Sequence, residues 1–558
     1  AAAFMIDAIG RHPDVDYVCF HHEQSAAMAA DAAWRTNRSV GVAMATSGPG
    51  ATNLLTGIAC SFFDSVPALH ITGQVNMRES SAYLGANPRQ AGFQETKIVE
   101  MAKPITKYAK QVRTPEELRI TLEEAWTAAT TGRMGPALVD VPMDVQQMEV
   151  GALLPVKISS LTELPAPEKE ETRNKLYDFV SKAERPLIYF GAGVGLAGVE
   201  QEIQQWLRET NLPFVSSWNA TTYFDHALPN YCGSVGVYGN RGANFLVQNC
   251  DRMLVLGSRL DNRQRSSNAK KFAPHAELLV VDVDAEELAK YKGDEYQTLC
   301  LDLKFLPNIL HTLKIPTLNV VWKNYASQMK DQYFGKCFSS FAAQHGTQSP
   351  YEVVKRINSL IAKDALVIND TGAAMCWFFQ TFHRAEQAVF TAGGNSPMGY
   401  ALPAAIGSKL LEPNKQVVCF SGDGGFQLNI QELAVLAHYK LDITIVILNN
   451  SGYGIIKQFQ DSNLQSRYFA TGDGYSVPNF KGIIEGYGLQ YFRIESPEQI
   501  HGDMFQMRGG VVLDVALDPN TTVEPKVDMG RPINDQFPYM SDAEFMEGNA
   551  FITYERTV

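Results

Sequence analysis

The sequence predicts an α/β protein of three doubly wound parallel-sheet domains, and three observations carry that reading. Short apolar, β-branched runs alternate with Ala-rich or amphipathic stretches, as in sheets covered by helices on both faces. Several runs end in glycine turns: Gly191-Ala192-Gly193-Val194-Gly195, Gly257-Ser258-Arg259 and Ser421-Gly422-Asp423-Gly424-Gly425. The length of 558 residues, 45% hydrophobic and 19% charged, suits about three domains of ordinary size.

The first domain is expected over 1–150. Its apolar run 17–20 reads as a short buried strand feeding an Ala-rich helix over 25–34, and 135–142 reads as a further strand. The chain begins at Ala1 and reads as entering a domain already in progress. A stretch over 153–171, carrying Pro165-Ala166-Pro167, reads as a linker. The middle domain, 172–312, opens with the strand 187–190, and its strands 253–256 and 278–281 end at Gly257 and at Asp282-Val283-Asp284. A second, amphipathic linker over about 313–349 leads into the third domain, 345–518, and an irregular, polar tail over 519–558 closes the chain.

The formal net charge of −12 argues against nucleic acid as a partner, and no apolar run approaches the ~20 residues needed to span a bilayer. Eight scattered cysteines without a CxxC pair read as reduced core residues of a cytoplasmic protein.

The chemistry is concentrated in the third domain. Gly422-Asp423-Gly424-Gly425 follows one strand, and Asn449-Asn450 ends the next apolar run, 443–448. A carboxylate on a glycine turn and an amide at the next strand end share one hard cation, while freed backbone N–H groups meet phosphate oxygens. Asp423 and Asn450 are the expected Mg²⁺ ligands, with a carbonyl near Gly452 as a third oxygen.

This spacing resembles the thiamine-diphosphate enzyme signature, GDG followed at this distance by NN. His22-Glu23-Gln24 resembles the HEQ element of the same superfamily. Thr46-Ser47-Gly48-Pro49-Gly50-Ala51-Thr52-Asn53, Asp64-Ser65-Val66-Pro67, Ile71-Thr72-Gly73-Gln74, Phe93-Gln94-Glu95 and Gly135-Pro136-Ala137-Leu138-Val139-Asp140-Val141-Pro142 are similar to the acetohydroxyacid (acetolactate) synthase branch, in order along the chain. The resemblance implies pyrimidine-binding, middle and diphosphate-binding domains, with the cofactor across a subunit boundary and a homodimer or homotetramer as the assembly. It implies Glu23 as the carboxylate that hydrogen-bonds the cofactor pyrimidine, and a large residue, here Met398, that bends the cofactor beside an accepting carbonyl near Ser396. Tyr453, Gly454 and Ile455 go with Gly452 at the diphosphate. Gln94 and Lys107 face substrate carboxylates, and Phe93 and Phe459 line the substrate pocket.

The middle domain resembles the part of these synthases that holds FAD. Gly257, Arg259, Arg263 and Asp282 stand in the matching elements, with Gly239 in Tyr238-Gly239-Asn240-Arg241, Gly191 in a glycine turn and Arg133 in a further flavin-contacting position. FAD, ADP and an empty domain are the open alternatives.

Three departures bear on the acceptor. Phe459 replaces a Trp, Gly372-Ala373-Ala374-Met375 lacks the Gln-His pair near the diphosphate, and 78–90 is longer and more polar than the usual loop. The resemblance implies decarboxylation of pyruvate and transfer of its two-carbon unit to an acceptor carbonyl, by default a second pyruvate. A larger ketone or nucleotide-linked keto sugar, covered by a tail segment over 530–536, is the alternative acceptor. A pyruvate-oxidase-like flavin reaction, a simple lyase and a non-catalytic homologue are further alternatives.

Overall fold

The structure, a computed structural model, describes residues 1–151, 166–313, 315, 317–337 and 339–553. The first sheet joins β1 (Gly41–Ala45), β2 (Ala68–Gln74), β3 (Tyr108–Gln111) and β4 (Pro136–Pro142) in the order β1-β2-β4-β3, all parallel. Every residue of β4 is buried, as a parallel sheet clad on both faces requires. The run 17–20 is not a strand and not fully buried: no described strand pairs with it, and Tyr17 is 56% exposed. Four consecutive apolar residues favour burial but carry no pairing information, which only a neighbouring strand supplies.

The middle sheet contains β5 (Pro186–Phe190), β6 (Phe214–Ser216), β7 (Tyr231–Ser234), β8 (Arg252–Leu256), β9 (Glu277–Asp282) and β10 (Tyr296–Cys300) in the order β10-β9-β8-β5-β6-β7. The third contains β11 (Leu366–Asn369), β12 (Ala388–Phe390), β13 (Val417–Gly422), β14 (Ile443–Asn449), β15 (Gln490–Ile494) and β16 (Val511–Ala516) in the order β12-β11-β13-β14-β16-β15. Both are wholly parallel, and chain order reverses between β5 and β8 in one and between β11 and β13 in the other. At such a switch point the loops leaving adjacent strands diverge to opposite faces and leave a crevice, so the fold dictates where ligands sit.

One expected linker lies mostly outside the described residues, and the second linker and the tail differ from expectation. The first linker lies outside the described residues up to 165, and the chain is helical over Lys169–Ser181. The second is largely part of the middle domain: helix Val320–Tyr333 buries Trp322, Tyr325 and Met329, and Trp322 Nε1 donates to Pro186 O at 2.9 Å. Gly242 lets this helix approach, since a Cβ there would stand 2.4 Å from Met329 O.

The tail is neither irregular throughout nor polar inside. A short antiparallel pair, β17 (Lys526–Val527) and β18 (Gln536–Phe537), precedes helix Asp542–Gly548, and Val527, Ile533 and Phe545 enter the middle-domain core. Asn244 Nδ2 donates to Ile533 O at 2.8 Å and Asn249 Nδ2 to Gly548 O at 3.0 Å, so the tail is held by backbone partners that leave no periodicity in sequence. Residues 554–558 lie outside the described residues. Six cysteines are buried, as expected, but Cys19 and Cys300 are exposed.

The first and third domains meet at a buried ionic cluster. Arg35 Nε reaches Asp31 Oδ2 at 2.7 Å, Arg35 Nη2 reaches Asp64 Oδ2 at 2.8 Å, and Arg35 Nη1 donates to Thr391 O at 2.9 Å. From the other side, Tyr400 OH donates to Asp31 Oδ2 at 2.6 Å and Gly394 N to Asp64 Oδ1 at 2.8 Å. Arg35→Met should destabilise the protein by about 3–5 kcal/mol, because two carboxylates stay buried without their cation. A lowered urea midpoint or melting temperature checks this, and an unchanged one contradicts it.

Candidate active site

Strand register brings the expected metal ligands together. In the β13–β14 pair Gly422 faces Leu448, so Asp423 and Asn450 emerge side by side beyond the strand ends. The outer atom of the Asn450 amide lies 3.2 Å from Asp423 Oδ1 and 3.0 Å from Gly452 O. With nitrogen outward it makes two hydrogen bonds. With oxygen outward, that oxygen stands from each of the other two at close to the ~3.0 Å edge of an octahedron whose metal–oxygen bonds are about 2.1 Å. One carboxylate, one amide and one carbonyl form an oxygen donor set suited to Mg²⁺, and the described residues hold no group of three His, Cys, Asp or Glu that could bind a softer ion.

Asp423 is buried, and burial raises its carboxyl to about 6 although Tyr475 OH donates to Oδ2 at 2.6 Å. A cavity opens over this end, lined by Gly422, Asp423, Gly424, Gly425, Asn450 and, opening helix Gly454–Asn463, Gly452, Tyr453, Gly454 and Ile455. A Cβ on Gly424 would lie 2.5 Å from the Tyr453 ring and 3.2 Å from Met398 Cε, so this glycine turn admits no side chain. Met398 and Phe459 line the cavity, and Gly372, Ala373, Ala374 and Met375 form an apolar stretch of its wall where polar partners were expected to be missing.

Ser396 has φ +51° and shares a hydrogen bond with Thr371 Oγ1 at 2.6 Å, and Arg263 Nη2 donates to its Oγ at 3.1 Å. Beneath them lies the buried carboxylate of Asp370, which accepts from Thr371 N at 2.9 Å, from Gly399 N at 3.0 and 3.1 Å and from Ala401 N at 3.2 Å. Burial raises this carboxyl to about 6. Asp370 thereby ties the switch loop after β11 to the segment carrying Ser396 and Met398.

Glu23 stands elsewhere. It opens helix Glu23–Asn37, capped by His22, whose Nδ1 accepts from Gln24 N at 3.1 Å. His21 N and His22 N donate to Glu432 across the domain boundary, at 3.2 and 3.1 Å. Glu23 Oε2 accepts from Asn53 Nδ2 at 2.9 Å, and a Cβ on Gly50 would come within 3.1 Å of Oε1. Gln94 packs against the same glycine turn, its Cβ 2.8 Å from the position of a Cβ on Gly48. Phe93 beside it is 86% exposed. Glu23, Phe93, Gln94 and Lys107 do not line the cavity of Asp423, so one chain does not assemble all the expected groups. Lys107 Nζ instead donates to Thr131 O at 2.6 Å, where Thr131 lines the middle-domain cavity.

That second cavity occupies the β5/β8 switch point and is lined by Gly191, Gly257, Arg259, Arg263, Asp282 and Arg133. A Cβ on Gly191 would stand 2.0 Å from Gly257 O, so these glycines let two loop backbones touch. Gly239 does not line the cavity: it sits in a tight turn where a Cβ would lie 2.5 Å from Gly236 N. Arg133 is engaged by Asp284 at 2.8 Å and Glu287 at 3.3 Å. Burial pushes Asp282 above the usual carboxylate range. Trp218, Tyr238, Arg263 and Met375 line both cavities, so the two adjoin.

Sequence reasoning missed Tyr475, Asp370 and the tail residues Lys526 to Met529, which also line the Asp423 cavity. Asp370 was within reach, as an acid ending a strand at a switch point. Tyr475 lies in an unpatterned loop and Lys526 in a two-residue strand too short to show periodicity, so neither carries such a signal. The tail segment 530–536, expected to cover the site, instead lies on the middle domain, where Ile533 is buried and Gly530 O accepts from Lys271 Nζ at 2.8 Å.

Comparison with known proteins agrees with this layout. Residues 2–101 match the N-terminal TPP binding domain of thiamine pyrophosphate enzymes, 173–307 the central domain, and 370–515 the C-terminal TPP binding domain. The chain is 32% identical to the acetolactate synthase isozyme 2 large subunit of Escherichia coli K12 over 535 residues, covering 94% of this chain and 93% of that protein. It is 33% identical to the acetolactate synthase large subunit of Lactococcus lactis over 510 residues, 90% and 85% of the two chains, and 32% identical to that of Cyanidium caldarium over 536 residues, 93% and 88%. With this coverage and three thiamine pyrophosphate domains in order, the chain belongs to the acetolactate synthase large-subunit family of thiamine-diphosphate-dependent enzymes.

Proposed function

We propose that the protein decarboxylates pyruvate and transfers the two-carbon unit to an acceptor carbonyl, by default a second pyruvate, giving 2-acetolactate. The convergence of Asp423, Asn450 and Gly452 oxygens at the foot of a cavity walled by Met398 carries this reading. Thiamine diphosphate supplies an acidic thiazolium C2 and an electron sink for the departing carboxylate. Asp423, Asn450 and Gly452 hold Mg²⁺, while backbone N–H groups at Gly424, Gly425 and the start of helix Gly454–Asn463 receive the diphosphate. Met398, whose Cε lies 3.2 Å from the position of a Cβ on Gly424, would pack against the cofactor and position it.

Glu23 holds the proton at the pyrimidine. Because it does not line the cavity of its own chain, it acts in the cavity of a second copy, and the minimum active unit is a homodimer. Gln94, packed against the glycine turn beside Glu23, and the exposed Phe93 enter with it, whereas Lys107 serves the carboxylate at the flavin side. The middle-domain cavity takes FAD: Arg259 and Arg263 suit its pyrophosphate and Asp282, at the end of β9, a ribose hydroxyl. Absence of flavin reduction by pyruvate during turnover separates this carboligase from an oxidase. Acidic charge and free cysteines suit a cytoplasmic enzyme.

A larger acceptor such as a keto sugar is the second reading. It is favoured by the cavity continuing past Phe459 to Asn463 and the tail residues Lys526 to Met529.

Asp423→Ala should weaken Mg²⁺-dependent thiamine diphosphate binding by about 100-fold or more by titration calorimetry, since a lost ligand leaves a depleted octahedron. Undiminished binding would place the site elsewhere. Glu23→Gln should retain binding but slow C2–H exchange, read by NMR, by about 10²–10⁴-fold. Normal exchange would remove Glu23 from this role. The metal-free Asp423 carboxyl is raised to about 6, so proton and Mg²⁺ compete there. Apparent Mg²⁺ affinity should be flat above that pH and fall below it, and a profile level down to pH 4.5 would contradict the assignment.

A further inference from the structure

The far end of the Asp423 cavity has a charged lining that no step above uses. The cavity runs along helix Gly454–Asn463, from Asn450 and Gly454 to Phe459 and Asn463. Ser462 lies eight residues beyond Gly454, about 12 Å along the axis at ~1.5 Å per residue. At that distance Lys526 Nζ donates to Ser462 Oγ at 3.1 Å and pairs with Asp528 Oδ1 at 3.3 Å.

The Lys526 side chain is only 10% exposed. An ammonium this far from water costs free energy unless it is compensated. Its compensation is incomplete: a lysine carries three N–H donors, and Ser462 and Asp528 occupy two. Asp528 is itself shared, because its Oδ2 accepts from Tyr539 OH. Among the described residues Lys526 is therefore held in place by two partners with one donor left over, and it lines the cavity.

We infer that Lys526 is the anion-binding, specificity-determining residue of the acceptor subsite, gripping a carboxylate or phosphate on the acceptor beyond its reacting carbonyl. The inference rests on the carboligase reading above and deepens it by naming the acceptor's chemistry. An ammonium recognises either anion as a point charge and needs no planar geometry.

The test uses the full chain with thiamine diphosphate, Mg²⁺, FAD and pyruvate as donor. Two acceptor pairs keep the reacting carbonyl and differ in the distal anion: 4-oxobutanoate against butanal, and dihydroxyacetone phosphate against dihydroxyacetone. In at least one pair the wild-type protein should prefer the anionic member. Lys526→Met should reduce that kcat/KM ratio by tenfold or more, and Lys526→Arg should restore it to within about threefold, since the charge is kept. The affected pair identifies the anion as carboxylate or phosphate. A wild-type enzyme indifferent to the anion in both pairs overturns the inference. So does a Lys526→Met variant with unchanged ratios, or one that loses both members of a pair equally, as a purely structural lysine would. Absence of CO₂ release from pyruvate by the wild-type protein is a separate failure, which overturns the carboligase reading and the subsite with it.

Discussion

The arrangement of the protein depends on one buried cation. Arg35 sits between Asp31 and Asp64 of the first domain while its third edge meets Thr391 O of the third. Tyr400 and Gly394 close on the same two carboxylates from the opposite side. Two acids cannot share a buried pocket without a guanidinium to satisfy them, and a guanidinium offers enough directed donors to hold both and a carbonyl. The helix that carries Glu23 at its first residue is therefore clamped to the segment that carries Ser396 and Met398, and Glu432 fixes its N-terminus as well. This interface holds Glu23 outside the lining of its own Asp423 cavity, the placement on which the proposed homodimer rests.

The two cavities follow from topology rather than from local composition. Each lies where the order of a parallel sheet reverses, and the two share Trp218, Tyr238, Arg263 and Met375 as a common wall. Arg263 illustrates the consequence: it leaves the β8 loop of the middle domain and reaches Ser396 of the third. Burial has a matching electrostatic cost. Asp370 and Asp423 are both pushed up to about 6, the first restrained by backbone N–H groups and the second by Tyr475 and Asn450. Asp370 offsets its desolvation by organising a loop, whereas Asp423 sits where a divalent cation fits.

Glycine turns and apolar runs announced all three sheets because a parallel strand buried on both faces must be apolar along its length, and the close turn that follows it often excludes a Cβ. The expected metal ligands could be placed for the same reason: Asp423 and Asn450 lie just past the ends of strands 13 and 14, whose register is set by their apolar faces. Expectations failed where burial depends on a partner distant in sequence. Among the described residues the run 17–20 has no strand to pair with, the segment around Trp322 is core because Pro186 accepts its indole, and the tail is buried through Asn244 and Asn249. Gly239 resembled a ligand-facing glycine, yet its own turn uses the space.

By itself the sequence determined the fold class, the order of the three domains and the pairing of Asp423 with Asn450 at neighbouring strand ends, because these depend on local periodicity, strand-end chemistry and glycine turns. Only the tertiary structure decided that Glu23 and Asp423 of one chain open onto different surroundings, that Asp370 braces the Met398 segment and that Lys526 closes the far end of the cavity. Those placements arise from contacts between residues tens to hundreds of positions apart, and no pattern within a single segment encodes them.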